Sequence, residues 1–128
     1  MRALTSILTT LVLIATAHVA LTQGGSDPDS RVLVQLRKAG SNISKPHEIQ
    51  FFLYFKTKDS AKRASGLVAK EGCKVAVEPG ADHMSWLCDG RKRMVPMLSD
   101  LVRLRKRFNA IAKRFGGEYD GWETAVVK

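Results

Sequence analysis

Between Arg91 and Arg114 the chain carries nine basic residues against one acid, Asp100. The nine are Arg91, Lys92, Arg93, Arg103, Arg105, Lys106, Arg107, Lys113 and Arg114. Charge of one sign at this density suits a nucleic acid, another polyanion or an acidic protein surface. On a helix, Arg103, Lys106, Arg107, Lys113 and Arg114 cover much of the side away from the apolar positions, which is equally the pattern of an ordinary solvated face. Phe52 and Tyr54 form a second group, on the polar-facing side of an alternating strand. Aromatic residues there stack bases in single-strand RNA readers. The string Phe51 to Lys56 lacks the Lys/Arg-Gly opening of that pattern, and cover by another part of the chain or by a second copy accounts for it as well.

Other chemistry is poorly supported. The three histidines, His18, His47 and His83, show no metal-ligand spacing. His83 stands too close along the chain to Asp82 and Ser85 to suggest a triad. No glycine-rich phosphate loop follows a strand, so neither an enzyme nor a cofactor or metal is expected. Two cysteines exclude a zinc site of four thiolates. A tight turn around Gly80-Ala81 sets Cys73 opposite Cys88, Val75 opposite Trp86 and Val77 opposite Met84. That register allows a Cys73–Cys88 disulfide in an exported protein, or two buried free thiols in any compartment. Asn42-Ile43-Ser44 fits a glycosylation acceptor, relevant only in a eukaryotic secretory pathway.

The elements that must position these residues begin after an address label. Arg2 is the only charge before Asp27, Ile7 to Ala15 is an apolar run, and Ala15-Thr16-Ala17 is a small-x-small cleavage pattern. This is the layout of a secretory signal peptide over residues 1–20, cut after Ala17 or Ala20, with an uncleaved membrane anchor as the competing reading. A periplasmic or secreted location follows. Residues 21–29 are a Gly-, Ser-, Asp- and Pro-rich leader, and residues 30–128 have the length of one small domain.

Within that domain Pro28 and Gly40 bracket a helix over Asp29 to Ala39. His47 to Lys56 is a strand, with Ile49, Phe51, Leu53 and Phe55 on one face. Thr57 or Asp59 caps a helix that stops at Gly72. Cys73 to Glu78 and Met84 to Met94 read as a hairpin. Pro96 opens a helix to Phe115 with Leu98, Leu101, Leu104, Phe108, Ile111 and Phe115 at steps of three and four. Tyr119 to Val127 closes as a strand, and Asp120-Gly121 within it predicts a bulge that re-aims Tyr119 and Trp122. The order fits an α+β ferredoxin-like split βαβ sandwich. Four antiparallel strands carry two helices on one face, with an extra N-terminal helix.

The string Phe115-Gly116-Gly117-Glu118-Tyr119-Asp120-Gly121-Trp122-Glu123-Thr124 resembles the closing motif of the regulator of ribonuclease E activity B family. Agreement continues in the leading helix ending Ala39-Gly40, the strand Ile49 to Phe55, the Ala-rich helix closed by Gly72, Trp86, and Met94-Val95-Pro96. The resemblance covers about residues 30 to 125. It implies a ferredoxin-like fold and a non-catalytic protein whose best-known relatives bind the ribonuclease E scaffold and restrain RNA turnover. Two features of this chain point to a different partner: the export signal, and a basic charge where the inhibitor type is acidic. Glu123 also replaces a usual glycine of the motif.

The sequence therefore reads as an exported protein-binding regulator or adaptor of unidentified target, with Tyr119, Asp120, Gly121 and Trp122 as its candidate binding region. A polyanion-binding module using Arg91, Arg93, Arg103, Lys106 and Arg107 is the alternative. A cytoplasmic ribonuclease E inhibitor is the second alternative, should the N-terminal segment not export the chain. The 128 residues carry a formal net charge of +9. Once Arg2 is set aside, basic and acidic residues balance everywhere outside the Arg91–Arg114 segment.

Overall fold

The computed structural model describes residues 12–15 and 27–128. The cleavage positions Ala17 and Ala20, His18 and residues 21–26 of the leader lie outside the described residues. The elements run β1 (Val12–Ala15), α1 (Pro28–Lys38), β2 (His47–Phe55), α2 (Lys58–Ala69), β3 (Lys74–Pro79), β4 (Trp86–Met94), α3 (Leu98–Arg114) and β5 (Glu118–Ala125).

Local chemistry sets the helix ends. Asp27 caps α1 by accepting from the Asp29 N–H, and Pro28 occupies the first turn, where its missing N–H costs nothing. Thr57 caps α2 through the Ser60 N–H. α3 begins at Leu98, two residues beyond Pro96, and has no side-chain cap. The residues after α1, α2 and α3 include Gly40, Gly72 and Gly116, each at positive φ, the left-handed turn that ends a helix.

β2, β3, β4 and β5 form an open antiparallel sheet in the order β5-β2-β4-β3. The structure adds one element that the sequence does not predict: β1 lies antiparallel along the outer edge of β5. α2 packs on β3 and β4, α3 packs on β5 and β2, and the two helices touch. Both reach the same row of the sheet. Phe51 meets Phe108 of α3 edge-on, while Gly90 opposite it leaves room for Val68 of α2. The buried core gathers there, with Ile49, Phe51, Leu53 and Phe55 joined by Leu101, Leu104 and Ile111. α1 touches α3 and β1.

The β3–β4 hairpin corrects the expected register. Val77, not Cys73, lies opposite Cys88, with Val75 opposite Gly90 and Pro79 opposite Trp86. The connection is longer than the expected two- or four-residue turn, closing where the Gly80 N–H donates to the Ser85 carbonyl. Met84 consequently sits in the loop, 84% exposed. Cys73 and Cys88 are separate, buried thiols.

Candidate functional site

The Tyr119–Trp122 string is built around an irregularity in β5. Phe51 pairs with Trp122 and Leu53 with Tyr119, so β5 spends one residue more than β2 between the two pairs. Gly121 sits at φ +97°, the left-handed conformation such a bulge places on glycine. The extra residue changes the alternation: two aromatic side chains three positions apart now point to the same, helix-covered face. Tyr119 and Trp122 are 6% and 1% exposed, and Tyr119 packs against Phe108. The bulge expected at Asp120-Gly121 is present, and what it aims is core. Gly121 is also buried, and Asp120 is half-buried.

Trp122 does more than fill space. Its Nε1–H donates to Asp29 Oδ1 at 2.9 Å, and Arg105 Nε donates to Asp29 Oδ2 at 2.7 Å. Asp29 thus ties α1 to α3 and β5 while only 1% exposed. Burial pushes its carboxyl above the ordinary value, against the pull of Arg105 and Trp122. Asp27 is drawn the other way: burial opposes, but the Ser30 hydroxyl and the Asp29 and Ser30 N–H groups hold it low. Burial with the nearby Asp29 charge raises the Tyr119 phenol well above its usual range. In the sequence Asp29 is no more than the start of a helix. An acid in the first turn is ordinary, which hides its longer-range role.

The basic residues are not one patch. Arg91 and Arg93 pair with Gln50 and Glu48 across the β2–β4 ladder, on the sheet face away from Phe51. Arg91 also bonds Asp89 at 3.2 Å. On the other side, Glu71 at the end of α2 accepts from Arg103 at 3.0 Å and pairs with Arg107 at 3.4 Å. Lys92 reaches the Glu71 carbonyl. Arg105 turns inward to Asp29, leaving Lys106, Lys113 and Arg114 exposed on α3. The structure therefore separates Arg91 and Arg93 from Arg103, Lys106 and Arg107.

Beside the string lies a surface that the sequence does not announce. Gly117 presses so closely on the Tyr54 carbonyl and the Phe55 ring that a β-carbon would collide with both. The resulting turn stands between two open concavities. One, of about 310 Å³, is lined by Tyr54, Phe55, Lys56, Met84, Ser85 and Gly116–Glu118. The other, of about 550 Å³, is lined by Asn109, Ala112, Lys113, Gly116, Gly117, Glu118 and Tyr119. No sequence signal marks Met84, because the expected register places it in a strand.

The remaining candidates are inward or isolated. His47 is fully buried, with Nδ1 at 2.8 Å from the Lys45 carbonyl and Nε2 at 2.7 Å from Ser41 Oγ. A carbonyl only accepts, so Nδ1 donates to Lys45, while the Ser41 hydroxyl bridges Nε2 and the Val127 carbonyl, 3.3 Å away. Ser41 Oγ in turn accepts from the Val127 N–H, latching the chain end to the α1–β2 loop. Burial drives the thiols of Cys73 and Cys88 up to about 11 and about 12, far from the thiolate that nucleophilic chemistry needs. Phe52 is buried, Tyr54 half-buried. Among the described residues no group of three His, Cys, Asp or Glu could hold a metal ion.

A family model described as regulator of ribonuclease activity B matches residues 26–124. No curated protein matches the chain. The matched span runs from just before the α1 cap through the bulged strand that α1 and α3 hold by Asp29, Arg105 and Trp122, and the chain belongs to the regulator of ribonuclease activity B family.

Proposed function

We propose that this chain is an exported, non-catalytic regulator or adaptor that works by binding another protein, on a ferredoxin-like scaffold. Family membership supports the regulatory class, and the strand order β5-β2-β4-β3 with crossovers through α2 and α3 supports the scaffold. The observation that carries the binding reading is the Gly116–Glu118 turn, flanked by two concavities with exposed Met84 on one rim. An unbranched thioether adapts to an apolar partner pocket, while Lys56, Glu118 and Lys113 supply a polar rim. Tyr119 and Trp122 act beneath this surface by holding the turn in place. Ribonuclease E, the partner that the family resemblance implies, is cytoplasmic, so an exported chain acts on a different protein.

Site-specific photo-crosslinkers at Met84 and Glu118, with Lys62 on α2 as control, test this reading in cells. One protein adduct shared by Met84 and Glu118 and absent from Lys62 is expected. No adduct, or the same adducts from all three positions, overturns it.

The exposed Lys106, Lys113 and Arg114 favour a second reading, binding of nucleic acid or another polyanion. Salt-sensitive retention on heparin that disappears in a Lys106→Glu/Lys113→Glu variant supports it. Absence of retention at low salt removes it.

A further inference from the structure

We infer that the outer edge of β5, over Trp122–Ala125, is a docking edge for an extended, uncharged aliphatic segment of a partner protein, and that β1 closes this edge in the full chain. The inference rests on the protein-binding reading above and names a surface and an occupant for it.

β1 already shows the mode of binding. It pairs antiparallel with Val12 opposite Ala125, Leu13 opposite Thr124, Ile14 opposite Glu123 and Ala15 opposite Trp122. Such pairing is made by backbone groups, so any extended segment of suitable chemistry can replace it. The described residues of β1 pair with Trp122–Ala125, beyond the Asp120–Gly121 bulge of β5.

The two edges of the sheet are not alike. The β3 edge is short, carries Lys74 and Glu78, and ends in Pro79, which has no N–H to offer. These are the usual protections of an exposed strand. Trp122–Ala125 has neither proline nor lysine. Its cover is β1, and β1 falls within the residues that have the layout of a removable signal peptide. Among the residues whose burial is described, the core cluster runs from Val32 to Trp122 and is built from α1, α2, α3 and the strands β2 to β5. Removal of residues 1–20 would take β1 away and leave the outer edge of β5 unprotected.

A second copy of β5 suits that edge poorly. Two antiparallel β5 edges centred on Glu123 oppose two carboxylates directly, which is destabilising. Centred on Thr124, they run past the strand end at Ala125 and pair only its last residues. The segment Val12–Ala15 that does fit is uncharged and aliphatic, and it sets the chemistry expected of a partner. While tethered, it competes at an effective concentration on the order of millimolar, enough to exclude a partner at micromolar levels.

A fluorescein-labelled peptide of residues 9–18 (TTLVLIATAH) with two added lysines tests the inference. Fluorescence anisotropy should show binding to the chain 21–128 at least tenfold tighter than to the full chain. Hydrogen exchange should slow at residues 122–125 on binding and stay unchanged at 74–79. The same peptide with I14P should not bind. If circular dichroism shows that 21–128 does not fold, the full chain carrying L13P takes its place with the same expectations. Equal binding to open and closed chains, protection at 74–79, indifference to I14P, or no binding overturns the inference. Peptide binding at 122–125 with no crosslinked partner at Met84 and Glu118 would defeat the functional reading and leave the edge standing. The reverse pattern would defeat the edge alone.

Discussion

Asp29 holds two donors that come from the far end of the chain, Arg105 of α3 and Trp122 of β5. A buried carboxylate is tolerable only while such partners remain. Arg105→Met should therefore cost about 3 kcal/mol at neutral pH. The pH dependence has a definite sign. Because the folded-state value of Asp29 lies above its ordinary one, the folded chain takes up this proton before the unfolded chain does as pH falls. The stability tied to Asp29 is thus greater at low pH and is lost as pH rises through the raised folded value. In Arg105→Met, with the countercharge gone, the loss should shrink on moving from pH 7 towards about pH 4.5. Urea midpoints of the variant and the parent at both pH values measure this. A loss that does not change with pH would place its origin elsewhere. The sequence displays Asp29 as a helix-start residue and Trp122 as part of a motif. Their bond is not legible there, because it depends on where α1 docks.

At the scale of elements, the periodicities carry most of the fold. Each helix and strand expected after residue 28 is present, shifted by a few residues at the ends. α3 starts after Pro96 rather than at it because Met97, with extended dihedrals, takes the cap position. Register is harder to read. Moving the β3–β4 pairing by an even number of residues keeps every side chain on its face, so the apolar alternation fits the expected and the actual register equally. Only the loop length separates them, and with it the pairing of Cys88 with Val77. The bulge is legible because a glycine inside a strand, here following an aspartate, marks a place where the backbone leaves the regular ladder. Gly121 at φ +97° makes it testable. Gly121→Ala should destabilise the chain by about 2 kcal/mol through backbone strain. A chemical-denaturation series including Gly66→Ala, at a helical site with open space around the β-carbon, separates this strain from a general glycine effect. Gly66→Ala should be neutral or stabilising by up to about 1 kcal/mol. Equal effects at the two sites would contradict the bulge.

For the molecule as a whole, the net charge of +9 looks different once folded. The basic segment is divided by the sheet: β4 turns Arg91 and Arg93 to one side, while α3 carries its cations on the other. Glu71 and Asp29 then engage Arg103, Arg107 and Arg105. Sequence shows that these charges are close along the chain, but not that two elements part them or that acids remote in sequence meet them. Among the described residues no helix is long and apolar enough to cross a membrane. The N-terminal segment is where the proposed location and the proposed partner join: export would take the chain away from cytoplasmic ribonuclease E. Fusing residues 1–30 to a reporter that is active only after export tests that claim most directly. Activity of the reporter outside the cytoplasm, with the fusion cut after Ala17 or Ala20, is the expected result. A full-length fusion retained in the cytoplasm would contradict it and return the chain to a ribonuclease partner.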